Sequence, residues 1–217
     1  MSARHHPLTT VLLATLVLAC FSASSSDQGQ CHASHLAAHF SMKTGDTERE
    51  VILWRNGSEI GQQYPRDGMT ITWKRTANGG LRQVRHFDAE KRSIEFEPDH
   101  GQEVESNWVS HFQILNDAEL ATLTLRGKEG FGCDEISFLE KSGTELAWLN
   151  TLKLPKHYVT HGYEIRLVKL EQDPEKVEAF FRERAAYQTT DYADIGDSEN
   201  DPFLQKMINL GFIEHHH

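Results

Sequence analysis

The chain has 217 residues, of which 38% are hydrophobic and 25% charged, enough apolar material for one buried core and too much for an intrinsically disordered chain. Its 22 basic and 32 acidic residues give a formal net charge of −10, and no cluster of Lys and Arg is free of interleaved acids. That balance excludes nucleic acid as a partner, because a phosphate backbone is gripped by concentrated positive charge, and it disfavours adsorption to anionic lipid heads.

Residues 1–20 read as a targeting segment. Arg4 precedes an apolar stretch from Leu8 to Phe21 that contains Val11, Leu12, Leu13, Leu16, Val17 and Leu18. The stretch is shorter than the ~20 apolar residues that a bilayer span requires and has the form of a signal peptide. It ends in Val17-Leu18-Ala19-Cys20, which resembles a bacterial lipobox. The resemblance implies a lipoprotein in which Cys20 carries the lipid and becomes the mature amino terminus. Because Phe21 rather than Asp follows, it also implies outer-membrane anchoring with the domain facing the periplasm. Ordinary cleavage near Ser24 is the alternative and would give a soluble periplasmic or secreted protein. Residues 21–30 are small and polar, as a flexible tether would be.

Residues 31–214 are expected to form a single globular domain with a C-terminal helical segment at 173–214. Either processing route leaves Cys31 and Cys133, and in an oxidising compartment such a pair is expected to form a disulfide. From Cys31 to Lys43 the spacing of Ala33, Leu36, Ala37 and Phe40 predicts a helix. On that helix His32, His35, His39 and Met42 would share one stripe, a ligand set suited to copper, zinc or haem iron.

From Glu50 to Leu170 the pattern has period two. Met69, Ile71 and Trp73 alternate with polar residues, as do Ile94 and Phe96, then Ala121, Leu123 and Leu125, then Tyr163, Ile165 and Leu167. Asn56-Gly57, Asn78-Gly79-Gly80 and Ser142-Gly143 supply turns between them, which favours antiparallel hairpins. Arg126 to Gly132 is expected to be a turn leading into Cys133, and His157 and His161 to lie in a loop between strands. Asp173-Pro174 opens a helix through about Ala186, and Asp201-Pro202 opens a second one closed by Gly211. The intervening acids, Asp191, Asp194, Asp197 and Glu199, lack the spacing of a calcium loop and read as a solvated segment. His215, His216 and His217 resemble the remnant of a purification tag and enter no site.

The expected fold is therefore α+β: seven to nine strands in an antiparallel β-meander curved into a half-barrel or open barrel, with helices at the N- and C-terminal ends. No motif for a nucleophile, a metalloprotease, a Walker loop or a dinucleotide site is present, so no enzyme is expected and no cofactor. The expected function is that of an exported envelope protein acting as a binding module for an apolar ligand or lipid, in a cavity lined by Trp54 and Trp73. Membrane contact would run only through the N-terminal lipid. A metal- or haem-binding protein using the histidine stripe is a second reading, and a structural envelope partner without a small ligand is a third.

Overall fold

The computed structural model describes residues 31–197 and 200–210; the expected signal segment, Cys20, the tether, Gly211 and the terminal histidines lie outside them. Six strands run first, β1 (His35–Thr44), β2 (Thr47–Asn56), β3 (Glu59–Tyr64), β4 (Met69–Arg75), β5 (Leu81–Phe87) and β6 (Arg92–Glu95). Two helices follow, α1 (Val104–Gln113) and α2 (Asp117–Leu120). The chain then forms β7 (Thr124–Glu129), β8 (Ile136–Lys141), β9 (Thr144–Leu149), β10 (Leu154–Thr160) and β11 (Tyr163–Glu171). It ends with α3 (Pro174–Ala185), β12 (Gln188–Asp191) and α4 (Pro202–Asn209).

All twelve strands join one open sheet in the order β12-β6-β5-β4-β3-β2-β1-β11-β10-β9-β8-β7. Two meanders, β1–β6 and β7–β11, are joined where β1 pairs antiparallel with β11, and β12 pairs parallel with β6 at one edge. The expected turns hold: Asn56-Gly57 closes the β2–β3 hairpin, Asn78-Gly79-Gly80 lies between β4 and β5, and Ser142-Gly143 joins β8 to β9. Gly57, Gly79 and Gly143 have φ of 61°, 82° and 73°, the region glycine enters without a Cβ penalty.

The expected fold class is corrected in three respects. The sheet is an open one of twelve strands with β7 and β12 as its edges, in place of a seven- to nine-stranded half-barrel or open barrel. Among the described residues no helix stands at the N-terminal end; helices lie in mid-chain and towards the C-terminus. The segment expected as a helix from Cys31 to Lys43 contains strand β1, whose ten residues pair with β2 on one side and β11 on the other. The misreading has a physical cause. Leu36, Ala38 and Phe40 are buried on one face of the sheet, and Ala37 is buried on the other. Burial on both sides places apolar residues at 36, 37 and 40, a spacing that imitates a helix.

Registers define the two faces. Phe40 and Val51 lie in line, as do Leu36, Arg55, Ile60 and Trp73. This face carries the main core and is covered by α1 and α2, with Trp108 and Leu115 buried against it. It is also covered by α4 at the β5–β6 end, where Phe203 meets Phe87 edge-on at 5.2 Å between ring centroids. The opposite face carries Ala37, Trp54, Gly61 and Thr72 in one row. Helix α3 lies across it: Asp173 caps its first turn through Glu175 and Lys176 backbone N–H, and Pro174 occupies the first helical position, as expected. The Phe180 ring stacks on Trp54 at 4.0 Å. A Cβ at Gly61 would stand 2.9 Å from that ring, so a glycine in mid-strand marks the close approach of the helix.

Candidate functional site: a cleft beneath helix α3

Because α3 covers only part of its face, a cleft of about 610 Å³ remains between the helix and strands β3 to β6. Thr72, Lys74, Arg82 and Val84 supply its floor, Asn56, Glu59 and Glu95 its borders, and Glu178, Phe181, Arg182 and Ala185 its helical wall. His86 and Arg184 close one end. The alternation of strands places these residues here, since Glu59, Lys74 and Arg82 share one row and Thr72, Val84 and Glu95 the next.

The charges on the cleft floor and at its closed end are paired. Lys74 Nζ lies 2.5 Å from a Glu59 carboxylate oxygen, and Arg82 donates to Glu95 at 2.9 Å. Arg184, 6% exposed, donates to Asp88 at 2.9 Å and to the Phe180 carbonyl at 3.1 Å, and its guanidinium covers the Phe180 ring. Asp88 also accepts from Thr70 and from the Tyr187 hydroxyl, both at 3.0 Å. This buried polar knot fixes the C-terminal half of α3 to β4 and to the turn after β5.

His86 sits beside the knot, 2.8 Å from the Thr72 hydroxyl through Nε2 and 2.8 Å from the Ser93 hydroxyl through Nδ1. Burial first, and the Arg184 charge second, pull its ring from the ordinary 6.5 down to about 4, with Asp88 opposing. On the other face His111 stacks on Trp73 at 3.8 Å, and burial lowers it to about 4 as well. Both rings are neutral in the folded protein at pH 7, whereas the unfolded chain takes up their protons near 6.5. The unfolded state therefore binds more protons from pH 6.5 down to 4, and stability falls as the pH is lowered through that window. The shift at His86 is worth on the order of 3 kcal/mol by pH 4. Urea midpoints at pH 7.5 and 5 are expected to differ, and His86→Gln to shrink the difference; equal midpoints in the wild-type protein would contradict the burial of both rings.

The expected site residues are dispersed. Trp73 borders the cleft, but its side chain is 5% exposed and stacked beneath α1. Trp54 belongs to the opposite face, where it meets Phe180 and donates to Gln63 Oε1 at 3.1 Å. The two tryptophans do not line one cavity, because their positions pair with opposite rows of β3. The histidine stripe dissolves with its helix: His35 and His39 fall on one face of β1, Met42 is buried on the other, and His32 precedes the strand. His39 contacts Glu50 at 3.3 Å, and Met42 sulfur accepts from the Tyr163 hydroxyl. No group of three or more His, Cys, Asp or Glu placed to hold a metal is found among the described residues.

His157 lies in β10 rather than in a loop and contacts Glu164 at 2.8 Å, while His161 is in the following turn. Arg126 and Lys128 lie in strand β7, where a turn was expected. The Cys31–Cys133 disulfide is formed, with 5.4 Å between Cα atoms.

The cleft residues escaped sequence reasoning because they occupy the polar side of the alternation, which reads as solvated surface. Gly61 within β3 and the apolar positions Val177, Phe180 and Phe181 of α3 are the signals that would have placed the helix over them. No known family model matches the chain, and no curated protein is detectably similar to it.

Proposed function

We propose that the chain is an exported envelope lipoprotein whose domain holds a small ligand in the α3 cleft without acting on it chemically. The cleft carries this reading: at about 610 Å³ it is of the size that small-molecule sites occupy, ~300–1,000 Å³. Its floor is a rigid sheet and its wall a capped, pinned helix. The face rich in apolar side chains is covered by α1, α2 and α4, so the space open to a ligand is lined by paired charges together with the apolar groups of Trp73, Val84, Phe181 and Ala185.

The hydroxyl–imidazole contacts favour binding over catalysis. A ring that protonates only near pH 4 is a weak base for the Thr72 hydroxyl, and Ser93 is fully buried. Val17-Leu18-Ala19-Cys20 supports the lipid anchor.

One mass-spectrometric experiment tests both halves. Protein purified from its native envelope should begin at a lipid-modified Cys20 and carry a small molecule, and the variant Ala185→Trp, which fills the cleft from an exposed helix position, should fold normally and lose that molecule. A mature terminus at Ser25 removes the anchor. A bound molecule retained by Ala185→Trp, or none in the wild-type protein, removes the cleft.

A further inference from the structure

The charge pattern of the cleft narrows the chemistry of what it accepts. Each cation on the sheet floor already has an acid beside it, Lys74 with Glu59 and Arg82 with Glu95. Arg184 at the closed end is held by Asp88. The helical wall adds one charge of each sign, Glu178 and Arg182, one turn apart. The chain as a whole has a net charge of −10, yet this cleft is close to neutral. On the floor, an anionic ligand would have to displace Glu59 or Glu95 from its partner, and a cationic ligand would have to displace Lys74 or Arg82. A zwitterion would give up the solvation of two charges to meet groups already neutralised.

A hydroxyl group has neither difficulty. It can donate to the carboxylate and accept from the ammonium or guanidinium of the same pair, leaving the pair intact. The Asn56 amide and the Thr72 hydroxyl extend the set of mixed donors and acceptors along the floor. Val84 on the floor, with Phe181 and Ala185 on the helical wall, offers apolar contact for carbon-bound hydrogens. Paired charges beside small apolar patches in one open groove suit a neutral molecule that carries both hydroxyls and C–H groups.

We propose that the ligand of the α3 cleft is a neutral saccharide of about two or three sugar units; the inference rests on the binding reading given above. The test is saturation-transfer NMR on the folded protein with a mixture of maltotriose, cellotriose and tri-N-acetylchitotriose. Separate samples contain decanoate and the zwitterionic tripeptide Gly-Gly-Gly. The expected result is saturation of sugar ring protons, little changed between 50 and 500 mM NaCl, and reduced at least fivefold by Glu59→Gln and by Arg82→Gln. Both positions are partly exposed ion-pair members, so these variants keep the fold. Signal from decanoate or the tripeptide with none from the sugars, lost in Ala185→Trp, would overturn the saccharide class and leave the cleft as a binding site. Signal from none of the three would overturn the saccharide class and count against the cleft itself. Sugar binding that survives both charge-pair variants would place the saccharide elsewhere and overturn the assignment.

Discussion

Arg55→Met is expected to destabilise the domain by about 3–5 kcal/mol, because several buried carbonyls lose their donor at ~1–3 kcal/mol each and part of that loss is relieved by relaxation. Arg55 is fully buried in β2, on the face covered by α1. Its guanidinium donates to the carbonyls of Ala33 at 2.9 Å, Leu152 at 2.6 Å and Lys153 at 3.0 Å, and to that of Phe112. The Phe112 ring lies 3.6 Å away, over the guanidinium carbon.

One side chain thus ties together the start of the domain, the end of α1 and the β9–β10 turn. The carbonyl at the end of α1 also brings the negative end of the helix dipole to the cation. Burial lowers the Arg55 guanidinium to about 9, which leaves it charged at neutral pH. Methionine would match much of the stem but leave these carbonyls facing an apolar group, and an unsatisfied buried acceptor costs ~1–3 kcal/mol. Lysine keeps the charge without the planar fork and should recover part of the loss. Denaturant titration gives the value, and a loss below about 1 kcal/mol would contradict the clamp.

Removing the disulfide with Cys31→Ser and Cys133→Ser together is expected to cost a similar amount. The bridge spans 102 positions, and the chain-entropy model assigns ~4.7 kcal/mol to a loop of about that length. Cys31 packs against the main core, and its carbonyl accepts from the Ala33 N–H at 3.1 Å. The bridge therefore anchors the same corner that Arg55 grips through the Ala33 carbonyl. Because the two share a segment, their effects should not add: once the bridge is gone, Arg55→Met should cost measurably less than it does in the bridged protein. A double variant as stable as the parent, or strictly additive losses, would contradict this shared role.

Much of the framework was legible because it rests on local chemistry. Proline after aspartate located α3 and α4, and both aspartates cap their helices as expected. Glycine-bearing turns located three hairpins, and the arithmetic of removing Cys20 located the disulfide. What failed depends on distant packing. β1 read as a helix because both of its faces are covered. Ala121 and Leu123 alternated like a strand, but Ala121 ends α2 and β7 begins at Thr124. α1 carries Val104, Trp108 and Phe112 at a spacing of four, a readable helical stripe, but its N-cap position is Glu103 with no side-chain cap, so no start signal marked it. Arg55 follows Val51 and Leu53 at a dry position of the alternation, where a charge reads as an interruption until its carbonyl partners, up to 98 positions away, are brought to it.

The cleft depends on the placement of α3 over the polar side of β3 to β6, and hydrogen exchange tests it whatever the identity of the ligand. Protein purified from its native source is compared with the same protein after unfolding, removal of small molecules and refolding. The expected result is slower exchange in the native preparation at the amides of α3 and of β4 and β5 around Thr72 and Val84, with α1 unchanged. Identical exchange in the two preparations, or protection confined to α1 and the face beneath it, would contradict a ligand in the α3 cleft.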